Sequence, residues 1–142
     1  MRAWQPLAIV VAVVFGSHNY LVQRAAGRLP DAWGALVLEV SAGATILIAI
    51  GALALAGHPP PAPRDTGGIA LTALAGLCIG IGAILYFTVF RLGAPLALAV
   101  PFVLTGWTVV AVTLGIVFGQ ETLAWRHVAG LACALLGIWF LR

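Results

Sequence analysis

Charge is what this sequence has least of. Only 8% of its 142 residues are Asp, Glu, Lys or Arg, and lysine is missing altogether. A soluble chain with so few charges exposes too much apolar surface to stay dispersed. The seven arginines are Arg2, Arg24, Arg28, Arg64, Arg91, Arg126 and Arg142. They are scattered along the chain, which excludes the basic patch of a nucleic-acid binder despite a pI near 9.5. Cysteine is equally sparse. Cys78 and Cys133 lie in apolar runs and read as small hydrophobes, too few for a metal site. There is no Gly-rich phosphate loop, no nucleophile paired with a base and no His/Cys ligand spacing. Neither an enzyme nor a metal or cofactor protein is expected. The in/out alternation of a transmembrane barrel is missing too.

What the chain does have is apolar length. Hydrophobic residues make up 63% of it, and the mean hydropathy is +1.12. Five runs account for most of the residues: Leu7–Gln23, Trp33–Ala56, Ile69–Leu92, Leu96–Phe118 and Val128–Leu141. Each is long enough, or nearly so, to cross a hydrocarbon core of about 30 Å as a helix of about 20 residues. Backbone facing lipid must bond internally, so these runs read as helices. The expectation is an all-α polytopic membrane protein, a single domain over 1–142 with spans near 5–24, 32–56, 68–92, 95–119 and 123–141. The first run lacks the basic start and small-residue cleavage site of a signal peptide.

The connections are short. Pro30 and Asp31 start the second span, with Asp31 as its N-cap. The longest loop, Gly57–Gly68, holds four prolines. A tight turn at Arg91–Pro95 joins spans three and four, and Gly119–Arg126 joins four and five. Trp33, Trp125 and Trp139 fall near span ends, as in an interfacial aromatic belt. Five crossings place the termini on opposite faces, with Arg2, Arg64 and Arg126 on one and Arg24, Arg28, Arg91 and Arg142 on the other. Orientation follows arginine and lysine excess in cytoplasmic loops. Three against four gives almost no bias, so either another cue fixes the orientation or the chain inserts both ways round.

Polar residues within the spans are costly and need a reason. At about 1.5 Å per residue, His18 lies about 9 Å inside the interface marked by Arg24, and Glu39 about 12 Å beyond Asp31. Tyr86 lies about 7 to 8 Å before Arg91, and Pro101 about 9 Å beyond Pro95. Together with the mid-span Trp107 they form a candidate substrate- or ion-binding set. Glu39 is the acidic residue deepest in any span. A carboxylate there pairs, faces water or takes up a proton. The structural alternative is an interhelical bridge between Glu39 and His18. Gly76 and Gly80 carry a G-x-x-x-G spacing that lets helix backbones approach, within the bundle or between subunits. Pro101 removes a backbone bond from span four, and such breaks lie beside the substrate in transporters.

The stretch from Tyr86 to Leu141 carries a recognisable set of marks. An aromatic-rich helix end runs into a small-residue turn at Gly93–Ala94, followed by a helix with Pro101. Gly119, Glu121 and Leu123 come next, and then Gly130 and Gly137 in the last helix. Gly16–Ser17 and Pro30 add looser marks in the first half. In these features the chain resembles the EamA-type domain of the drug/metabolite transporter superfamily. It departs from the family pattern where Gln120 separates Gly119 from Glu121, and where Glu39 stands at a position that is basic in many relatives. Larger members carry two five-helix domains of opposite orientation, whereas this chain is similar to the short five-helix group. The resemblance implies a multi-pass protein of the cell inner membrane that transports a small metabolite or drug-like cation by alternating access. It also implies an antiparallel homodimer, since one unit cannot supply both halves of an inverted repeat. The expected partners are therefore the bilayer, a small-molecule substrate and a second copy. The alternative is a non-transporting subunit, or half of a heteromeric lipid-carrier flippase.

Overall fold

The computed structural model describes residues 4–119, 122 and 124–140. Five α-helices follow one another in it: α1 (Trp4–Ala25), α2 (Asp31–Leu55), α3 (Thr66–Arg91), α4 (Leu96–Val117) and α5 (Trp125–Phe140). The first four are long and apolar enough to cross a membrane. Their 22, 25, 26 and 22 residues correspond to about 33 to 39 Å of helix, against a hydrocarbon core of about 30 Å. α5 is apolar but covers only 16 described residues, about 24 Å. Leu123 and Leu141, within the expected fifth span, lie outside the described residues.

Local chemistry sets the helix ends. α3 begins at Thr66, inside the expected loop Gly57–Gly68, because Asp65 is its N-cap and accepts a hydrogen bond from Gly67 N at 3.0 Å. α2 ends at Leu55 and the chain turns away at Gly57, whose φ of 79° suits a residue without Cβ. There His58 N donates to Leu53 O and Gly57 N to Ala54 O, closing a Schellman motif. The expected N-cap role of Asp31 is not what the structure has. Pro30 holds the cap position without a side-chain bond, and Asp31 is the first helical residue. Its carboxylate is turned to α3 instead.

The helices group into two units. The terminal unit holds residues 1–21 and 93–142, and therefore most of α1 with α4 and α5; the middle unit holds 22–92, and therefore α2 and α3. In the middle unit Val22, Ala35, Phe87 and Phe90 are buried, and in the terminal unit Ala99 is. Burial is otherwise scarce. No residue is buried in the most apolar 18-residue stretch of α2, α3 or α4. Ile48 and Leu71 are 72% and 70% exposed. Leaving such side chains in water forgoes about 1.5–3 kcal/mol each, so these faces call for an apolar surrounding. The hydroxyls on the helices are handled as an apolar medium demands. Ser17, Ser41, Thr45, Thr72, Thr108 and Thr113 each donate to the carbonyl four residues back.

Candidate functional site

In the middle unit, α2 and α3 are joined at one end by a polar clasp. Thr88 Oγ1 donates to Asp31 Oδ2 at 2.7 Å, with the carbonyl of Ile84 a more distant acceptor at 3.1 Å. Arg91 Nε donates to the same carboxylate, 2.8 Å from Oδ2 and 3.0 Å from Oδ1. One turn further in, a Cβ on Gly34 would lie 2.7 Å from Phe87 Cε1. The two helices thus touch where α2 has no side chain. These contacts fix an antiparallel register in which Gly34 faces Phe87. Glu39, five residues on, then stands level with about Gly82, and Tyr86 with about Ala35. Glu39 is therefore about 6 Å deeper than Tyr86 along the helix pair. It is half-buried, and no hydrogen bond or ion pair joins it to a described residue of its unit. Tyr86 is half-buried and packs edge-on against Phe90, with ring centroids 4.8 Å apart.

The terminal unit holds His18, Pro101 and Trp107. His18 is half-buried, with the ring of Phe15 edge-on at 6.4 Å. Pro101 is half-buried within an α4 that runs through it from Leu96 to Val117. Trp107 is 61% exposed. Six residues turn a helix by about 600°, so Trp107 points about 120° away from Pro101. The face that does carry Pro101 continues through Thr105, Thr108, Val112 and Ile116, at steps of four, three, four and four. Its last four members line a groove of about 610 Å3 between α4 and α5. Opposite them stand Arg126, His127, Gly130 and Ala134 of α5. Glu39, His18, Tyr86, Pro101 and Trp107 are all outside this lining.

Gly76 and Gly80 show no close approach within the chain, and a Cβ at either would meet open space. The intimate contact is made by Gly34, which no spacing motif marks. Cys78 and Cys133 are free thiols on exposed positions. The sequence reading missed the clasp and the groove. The one signal available for the groove was the threonine stripe on α4. For the clasp it was the pair of opposite charges at the facing ends of two consecutive runs. No family model, no curated protein and no solved structure matches the chain.

Proposed function

We propose that the chain is a five-span protein of the cell inner membrane and a secondary transporter, working as an inverted homodimer by alternating access. Its substrate is a small metabolite or a drug-like cation, with coupling to protons. Glu39 carries this reading. An acidic side chain about 12 Å along α2 costs several kcal/mol in hydrocarbon unless it meets water, a proton or a cation. This one is half-buried and has no partner in its own unit. Gly80 and Gly82 of α3, at about the same height, have open space where a Cβ would stand. The exposed helix faces support the second copy. Its longest helices bury almost nothing of their apolar stretches, and Gly76 and Gly80 leave a smooth strip on α3 against which another helix can lie. The likeness to EamA-type proteins from Tyr86 onward supports the transport mechanism.

Proton-driven uptake by proteoliposomes is the test. Glu39→Gln keeps the shape and removes the titrating group, so uptake is expected to fall to background while the helical circular dichroism is kept. Wild-type uptake by this variant removes Glu39 from the mechanism. A pure wild-type protein that stays monomeric and transports nothing favours the other reading, a subunit of a heteromeric complex.

A further inference from the structure

We infer that the α4–α5 groove of the terminal unit is a seat for one anionic phospholipid, its phosphate at Arg126 and His127 and one acyl chain along the threonine-marked face of α4. The inference needs the chain to lie in a bilayer but is independent of Glu39 and of transport.

Three observations converge on it. The groove has the volume of a ligand site, about 610 Å3, within the usual span of roughly 300–1,000 Å3. Its charge is confined to one end. Arg126, His127 and Thr122 stand where α5 begins, near Ile116, while Leu104 lines the other end with Thr105 and Thr108, and the Thr108 hydroxyl is satisfied by the Leu104 carbonyl. From Arg126 to Ala134 is about 12 Å along the helix, so the groove leads from the end of the spans into the apolar zone. That is the layout of an amphiphile with a polar head and a long tail. Among the described lining residues its charge has one sign. Arg126 makes no ion pair with a described residue; its guanidinium lies 5.8 Å from the centre of the exposed Trp125 ring, leaving its donors free for an anion. A phosphate accepts from such donors, and basic pockets between membrane helices recognise phospholipid headgroups. A cationic substrate is repelled at the same place. The tail end fits as well. No atom lies within 4 Å of a Cβ position at Gly130, so the floor of the groove is open there.

The test uses the full chain with Trp125 as sole tryptophan (W4F, W33F, W107F and W139F) in phosphatidylcholine vesicles. The vesicles contain a minor fraction of dibrominated phosphatidylglycerol or dibrominated phosphatidylcholine, whose bromines quench nearby tryptophan. Trp125 is expected to report a preference for the anionic lipid of about fivefold, the factor one interfacial arginine contributes. Arg126→Gln should abolish the preference, Arg126→Lys keep most of it, and Arg64→Gln leave it unchanged. Gly130→Leu fills the floor of the groove and should abolish it with Arg126 intact. Equal quenching by both lipids in the parent overturns the inference, as does a preference that survives Arg126→Gln. A preference lost in Arg126→Gln but kept in Gly130→Leu overturns it too, because the lipid is then held by surface charge and not by the groove. Reversal by added inorganic phosphate shows a free-anion site and equally overturns it.

Discussion

At the scale of single residues, the chain's few charges do different jobs. Asp31 and Arg91 are separated by 60 positions yet share a carboxylate with Thr88. The Asp31 side chain is only 13% exposed, against 48% for Arg91. This makes the acid the structural member and the arginine its outward-facing partner. Removing the carboxylate breaks the contacts of both Thr88 and Arg91, whereas removing Thr88 leaves the Asp31–Arg91 pair in place. Thermal unfolding in detergent is therefore expected to show a larger fall in Tm for Asp31→Ala than for Thr88→Val. Asp31→Ala and Arg91→Ala should be strongly non-additive, because each already breaks the same contact. Additive falls would mean that the clasp does not hold the helices. Glu39 has no such company in its unit, so in the transporter reading its replacement affects transport and not stability.

At the scale of elements, glycine separates two kinds of helix face. Gly34 is a contact glycine, where an added Cβ would stand 2.7 to 3.1 Å from the buried ring of Phe87. Gly34→Ala is expected to destabilise the α2–α3 pair by about 1–3 kcal/mol through overpacking, less about 0.5–1 kcal/mol of gain in helix propensity. Phe87→Leu in the same chain should restore part of the loss. Gly76 and Gly80 are open glycines in the single chain. Gly76→Leu and Gly80→Leu should leave monomer helicity alone. In the homodimer reading they shift sedimentation equilibrium in detergent toward monomer. An unshifted equilibrium would place the dimer contact elsewhere. The helices themselves were legible in the sequence, because an uninterrupted apolar run of this length has no other stable form in lipid. Their ends were less so. Asp65 starts α3 ahead of the apolar run, since capping depends on one side chain and its neighbour's N–H and not on hydropathy.

At the scale of the whole molecule, the described helices leave most of their apolar surface facing outward, and with five spans the arginines would give almost no orientation bias. In the homodimer reading both features suit a chain that completes itself against a second copy in lipid. Reporters fused after Arg142, one active only inside the cell and one only outside, test this directly. Dual insertion predicts signal from both, and signal from one alone fixes the orientation and makes an antiparallel homodimer untenable. The candidate site was legible only in part. Glu39 stood out because a carboxylate deep in an apolar run is costly wherever the helix turns. Trp107 stood out by its mid-span position, yet helical phase carries it away from the face that Pro101 shares with Thr105 and Thr108.

The sequence by itself determined the class of architecture: helices, their number and approximate limits, and a preference for an apolar surrounding. These follow from run length, hydropathy and the need of every backbone group for an internal partner, all local properties. Only the tertiary structure decided that Asp31 would clasp α3 and not cap α2, that Gly34 would be the glycine at which α2 meets α3, and that α4 and α5 would line a groove with a cationic mouth. Each of those depends on which faces of two helices meet. Helices this uniformly apolar carry little amphipathic bias to fix that choice in advance, so a few polar and small residues at matching heights make it.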